Sequence, residues 1–220
     1  MTVVQPDGYL ALPKTSNGTG VLVIHAWWGL NSFFKDLCRR LAREGFTAFA
    51  PDLYHGKVAS TIAKATRLRD GLDRKQANKD LHNAVAYLQE IKAVTTLPLG
   101  VIGFSMGANF ALGVSRQLPH AIGAVVCFYG TRSGDYAAAR AAYLGHFAES
   151  DEWESAAGVK RLEQQLQAAQ RPVTFHTYPG TGHWFFEKDR VGAYNAWAAK
   201  LAWQRTLDFL EATLVPRIEQ

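Results

Sequence analysis

Cysteine is scarce in this chain. Cys38 and Cys127 are the only two among 220 residues, and their spacing fits no zinc motif. That scarcity excludes a disulfide framework, and the apolar neighbours of both predict buried free thiols in a reducing compartment. Long hydrophobic runs are missing as well. Val21–Ile24 is typical of the longest, far short of the roughly 20 residues needed to cross a bilayer, so no membrane partner is expected. The opening MTVVQPDGYLALP has no basic segment followed by an apolar one, which reads as no secretory leader and predicts a cytoplasmic location. In that setting Asn17-Gly18-Thr19 reads as a turn rather than a glycosylation acceptor.

Charge of a single sign is also absent. Lys and Arg number 24 against 19 Asp and Glu, a net +5, but they are scattered. The densest stretch, Lys64 to Lys79, interleaves Lys64, Arg67, Arg69, Arg74, Lys75 and Lys79 with Asp70, Asp73 and Asp80. This is a solvated helical face able to steer small anions, not the one-sign stripe that nucleic acid requires. Gly100, Gly103 and Gly107 miss the G-x-G-x-x-G spacing, no Gly-Lys-Ser/Thr follows, and no histidines stand at i, i+4 beside a carboxylate. Nucleotide-dependent and metal-dependent chemistry therefore lack their signatures, and no metal ligand is assigned.

What is present is a regular alternation. Apolar runs at Val21–His25, Phe46–Ala50, Leu99–Ile102, Ile122–Tyr129, Ala142–Phe147 and Val173–Tyr178 read as strands, with a short outer one at Gly8–Leu12. The Val21 run shows no polar alternation, as expected of a strand covered on both faces. Between the runs fall stripes at helical spacing: Phe34, Leu37, Cys38 and Leu41, ended by Gly45; Leu81, Val85 and Leu88; Phe110, Val114 and Leu118; and Trp203, Leu207, Leu210 and Leu214. Val159–Ala169 is a further helix, and the polar stretch from Leu53 to about Ala77 holds one or two more. The pattern predicts a single α/β domain over residues 1–220, with a mostly parallel central sheet and helices on both faces.

Gly103-Phe104-Ser105-Met106-Gly107 sits between such a strand and such a helix. That is the context of a nucleophile elbow, whose tight turn holds a serine at its tip under backbone strain. A Cβ at either glycine would strike the neighbouring strand or helix. Serine needs a base to take its proton as it attacks, and His183, in the glycine-rich loop after the last strand, suits the task. A carboxylate must orient that imidazole. Asp151 is preferred for it, with Glu149 as its rival, and both lie between serine and histidine in the chain. The backbone N–H groups of Trp27 and Met106 are candidates for the oxyanion hole. Trp28, Tyr129, Trp184 and Phe185, beside Trp27, are candidate lining for an apolar pocket. The short connection after Tyr129 leaves no room for a cap domain, so the site should be open and favour short acyl groups.

Several motifs add a family likeness. His25-Ala26-Trp27-Trp28-Gly29-Leu30-Asn31, Pro51-Asp52-Leu53-Tyr54, the elbow, Phe147-Ala148-Glu149-Ser150-Asp151, and Tyr178-Pro179-Gly180-Thr181-Gly182-His183-Trp184-Phe185-Phe186 together resemble the dienelactone hydrolase family. The resemblance runs from about residue 8 to 214 and implies an α/β-hydrolase fold with a triad at Ser105, Asp151 and His183. It also implies hydrolysis of an ester or lactone with neither a metal nor an organic cofactor. Dienelactone hydrolases proper carry cysteine in place of Ser105 and a glutamate in place of Ala26 that holds the resting thiol. A hydroxyl needs no such partner, so the two changes agree. Their substrate-binding arginine, a turn after the histidine, is Glu187 here, which favours a neutral or cationic ester over a chlorocatechol-derived dienelactone. The expectation is a serine hydrolase of small carboxylic esters or lactones. Thioesterase, deacetylase and perhydrolase chemistry would use the same residues, and a non-catalytic ligand-binding protein is the rival from another class. Either a monomer or a dimer fits the sequence.

Overall fold

The computed structural model describes residues 4–215, so both ends of the domain expected over 1–220 lie outside the described residues. Seven strands form one sheet in the order β1-β3-β2-β4-β5-β6-β7. They are β1 (Gly8–Ala11), β2 (Thr19–Ile24), β3 (Thr47–Pro51), β4 (Thr96–Phe104), β5 (Ile122–Phe128), β6 (Ala142–Ala148) and β7 (Val173–Tyr178). Only β1 runs antiparallel, pairing Gly8 with Pro51 at the sheet edge; every other neighbouring pair is parallel. Every residue of β2 and β3 is buried, as two-sided cover requires. β7, by contrast, is the far edge and is only partly covered.

Among the described residues six helices connect and cover the strands: α1 (Ser32–Arg43), α2 (Ile62–Asp70), α3 (Arg74–Glu90), α4 (Met106–Gln117), α5 (Ala156–Ala168) and α6 (Ala196–Leu214). Because strand side chains alternate, the sheet feeds two cores. Val21, Val23, Ile102, Phe104, Val126 and Phe128 meet α1 and α6 on one face. Leu22, Ile24, Val101, Val125 and Cys127 meet α3, α4 and α5 on the other. A fully buried aromatic such as Phe104 contributes about 1.5–3 kcal/mol relative to exposure. Both cysteines are buried and free, and burial pushes the Cys38 thiol up to about 12. No helix among the described residues is long and apolar enough to cross a membrane.

Side-chain caps set the helix starts. Asn31, Thr61, Asp73, Ser155 and Asn195 each accept an N–H from the first turn of α1, α2, α3, α5 and α6. The stretch left open by sequence, Leu53 to Ala77, holds α2 and the first turn of α3, separated at Gly71. The basic residues from Lys64 to Lys79 are therefore not one face but are divided between two helices. His25 ties this region to the sheet: its Nδ1–H donates to Ala26 O at 2.7 Å and its Nε2 accepts the N–H of Leu53 at 3.2 Å. Between Phe128 and Ala142 the chain holds only turns and loop, with no helix.

Candidate active site

Ser105 sits between β4 and α4 with φ +51° and ψ −113°, a backbone conformation that non-glycine residues rarely adopt. Such a conformation costs on the order of 1–3 kcal/mol, and it persists because the surroundings leave no alternative. The Ser105 N–H donates to Phe128 O at 2.9 Å, tying the turn to β5. A Cβ on Gly103 would collide with the backbone of Gly107, and one on Gly107 with the carbonyls of Ile24 and His25. The two glycines thus let α4 lie directly against the ends of β2 and β4, as the elbow spacing predicts.

His183 arrives from the loop after β7, and its Nε2 lies 3.0 Å from Ser105 Oγ. Its Nδ1 lies 2.8 Å from both carboxylate oxygens of Asp151, which sits on the loop after β6. Both side chains are nearly inaccessible, at 5% and 6% exposure, so water competes little with the contact. Burial alone would push the Asp151 carboxyl up. Hydrogen bonds from His183 and from the N–H groups of Trp153 and Glu154 outweigh it and hold the group below the usual carboxylate range. Glu149 is elsewhere: its carboxylate accepts the N–H of Gly180 at 2.9 Å and pins the loop after β7. The arrangement can pass a proton from hydroxyl to imidazole while a fixed carboxylate steadies the charge that results.

A cavity of about 380 Å³ opens over the serine, lined by Trp27, Arg69, Arg74, Ser105, Met106, Asn109, Tyr129, Gly130, Thr131, Trp153, Glu154, His183 and Trp184. Of the candidate lining residues, Tyr129 and Trp184 are there. Trp28 is not; it is walled off behind Trp27 and lines a neighbouring cavity on the far side of His183 and Trp184. Phe185 is a correction. It is fully buried in the core, edge-on to Tyr129 and against Tyr178, and Phe186 after it is buried in the same cluster, because the chain beyond Trp184 turns its aromatics inward, away from water. The Trp27 and Met106 backbones flank the serine, and neither N–H has a backbone partner among the described residues.

The charge expected at position 187 does not reach the cavity. Glu187 is completely buried, accepts the Tyr129 hydroxyl at 2.8 Å, and is pushed up to about 8 chiefly by burial. Tyr129 in turn packs against the His183 ring at 4.8 Å. The reason for favouring a neutral or cationic ester is thereby removed, since the charges that do face the cavity include Arg69 and Arg74. These two, together with Asn109, Thr131, Trp153 and Glu154, were missed from sequence. Asn109 was within reach as the residue one turn after Ser105, whereas the arginines are placed only by where α2 and the start of α3 come to lie in the tertiary structure.

The dienelactone hydrolase family model matches residues 7–214. Protein usf of Aquifex pyrophilus is 32% identical over 220 residues, covering 96% of this chain and 95% of that one. A Bradyrhizobium protein assigned as a 2-oxo-3-(5-oxofuran-2-ylidene)propanoate lactonase is 31% identical over 219 residues, covering 92% and 87%. Among solved structures, a Klebsiella pneumoniae protein assigned as a dienelactone hydrolase superposes with a TM-score of 0.80 at 26% identity, covering 92% and 91%. With the sheet order, the elbow and a match over nearly the whole chain in agreement, this protein belongs to the dienelactone hydrolase family of α/β-hydrolases.

Proposed function

We propose that this chain is a serine hydrolase of small carboxylic esters or lactones, working through an acyl-enzyme. The observation that carries the reading is the unbroken relay from Ser105 Oγ to His183 Nε2 at 3.0 Å and from His183 Nδ1 to Asp151 at 2.8 Å. Ser105 Oγ bonds to the substrate carbonyl carbon as its proton passes to His183 Nε2. To the N–H groups of Trp27 and Met106, both without a backbone partner among the described residues, falls the oxygen that becomes negative, and such a donor typically contributes about 3 kcal/mol. The bond to the leaving oxygen then breaks, and His183 returns the proton to it. Water repeats the sequence in reverse, freeing the acid and the serine. In a lactone the leaving oxygen stays tethered to the acyl chain and the ring simply opens. That one relative is assigned as a lactonase adds support for this substrate class.

Absence of any helix between β5 and β6 supports an open cavity that favours short acyl groups. The test pairs p-nitrophenyl acetate turnover with fluorophosphonate labelling. The expected result is hydrolysis by the wild type, a single adduct on Ser105, and loss of both in Ser105→Ala. Equal turnover by wild type and Ser105→Ala, with no adduct on Ser105, would overturn the proposal.

A further inference from the structure

Ser105, Asn109, Gly113 and Arg116 fall along one stripe of α4, and arginines collect beside it. The Arg132 guanidinium donates to Asn109 O and Oδ1 at 3.3 and 3.4 Å, and it lies over Gly113, where a Cβ would come within 2.7 Å of Nη1. One turn further on, Arg116 lies against Gly134 and over the Tyr136 ring, 5.3 Å from its centre. Arg74, at the start of α3, flanks the stripe over Phe110 and also lines the serine cavity. Arg116 and Arg74 are close enough that, after burial, their charges depress the Arg132 guanidinium. Among the described residues no carboxylate forms an ion pair with any of the three. Three acids beside these arginines in the chain, or bonded to a chain neighbour, are engaged elsewhere. Glu154 is held by the Thr131 N–H and hydroxyl, Asp135 by the N–H of Ala137, and Asp73 by the first turn of α3.

Resting on the hydrolase reading above, we infer that this strip is a subsite for a phosphate or pyrophosphate group at the far end of the substrate. Three like charges held together without a counter-ion are relieved by a multiply charged anion, and guanidinium forks match phosphate oxygens. The spacing sets the reach. At about 1.5 Å per residue, Gly113 lies roughly 12 Å and Arg116 roughly 16 Å along the helix from Ser105. A carboxylate on a small lactone ends well short of that distance. An ester or thioester whose phosphates stand off on a long arm does not, and a coenzyme A thioester is the accessible representative.

The test compares wild type with the double variant Arg116→Gln/Arg132→Gln, neither residue touching the reacting atoms. Substrates are acetyl-coenzyme A, its truncated neutral counterpart S-acetyl-N-acetylcysteamine, and p-nitrophenyl acetate, with inorganic pyrophosphate titrated by calorimetry. Wild type is expected to favour acetyl-coenzyme A over the truncated thioester by about ten-fold or more in kcat/KM, mainly through KM. The variant should lose that preference and its pyrophosphate binding while keeping p-nitrophenyl acetate turnover and its melting temperature. Arg116→Lys/Arg132→Lys should recover part of the preference. No pyrophosphate binding by wild type, or binding without any preference between the thioesters, overturns the inference. Since pyrophosphate binding involves no chemistry, a wild type that binds it yet fails on all three substrates indicts the nucleophile assignment instead.

Discussion

Asp151 and Glu149 are two residues apart, yet only one of them faces the imidazole. On the proposed mechanism Asp151→Asn loses the charge that fixes the His183 tautomer, and kcat toward p-nitrophenyl acetate should fall by roughly 10³–10⁴-fold. Glu149→Gln, which keeps an acceptor for the Gly180 N–H, should stay within a few-fold of wild type in the same assay. Glu187 gives a second residue-level prediction, in stability rather than rate. Its folded carboxyl holds its proton up to about pH 8, while in the unfolded chain it ionises near the ordinary 4.5. Across that window the folded state binds the extra proton, so its contribution to stability declines as pH rises, by up to about 1.4 kcal/mol per pH unit. Glu187→Gln cannot ionise. Its melting temperature relative to wild type should therefore increase steadily from pH 5 to pH 8, as differential scanning calorimetry would read.

At the scale of elements, the elbow depends on two backbones touching. Gly107→Ala forces α4 away from the Ile24 and His25 carbonyls, and neither of these can yield without disturbing β2. A loss of about 1–3 kcal/mol or more is expected from urea unfolding, with fluorophosphonate labelling of Ser105 falling alongside it. Gly192→Ala is the control, since nothing stands within 4 Å of its Cβ and its φ is not positive. That substitution should change stability by no more than about 0.5 kcal/mol. The α2–α3 segment is a different kind of element, because its helices start from caps at Thr61 and Asp73 and it supplies Arg69 and Arg74 to the cavity rim. Asp73→Ala removes an acceptor shared by the Lys75 and Gln76 N–H groups. About 1 kcal/mol of stability should go with it.

For the molecule as a whole, buried histidines set the acid side of the stability curve. Burial holds His25 below its ordinary value and His146 well below it, His146 being enclosed by the Tyr178 and Thr206 hydroxyls. The unfolded chain takes up protons on both near the ordinary 6.5, while the folded one keeps them neutral, so stability drops as pH falls below that value. As pH rises the two histidines push stability up until about 6.5, while Glu187 pulls it down until about 8. Above about pH 6.5, where the histidine contribution is spent, the melting temperature of the wild type should accordingly decline towards pH 8. A curve that climbs on past pH 8 would contradict this assignment of buried groups.

Much of this was readable in the chain itself. Strand and helix identities follow from local side-chain spacing, and the Gly-x-Ser-x-Gly turn is a local steric requirement, so Ser105 and its place between β4 and α4 were visible from sequence. His183 and Asp151 were visible because strands of a parallel sheet end on one edge, so loops that follow them meet there. What sequence could not decide was which way side chains beyond those loops point. Phe185 turned into the core and Glu187 was sealed beneath Tyr129, although both sit beside His183 in the chain. Arg69, Arg74 and Arg132 came to the serine cavity and its flank from three separate segments. Their positions depend on how the α2–α3 segment and the loop after β5 lie relative to the elbow, stretches far apart in sequence, and no local pattern of residues encodes that.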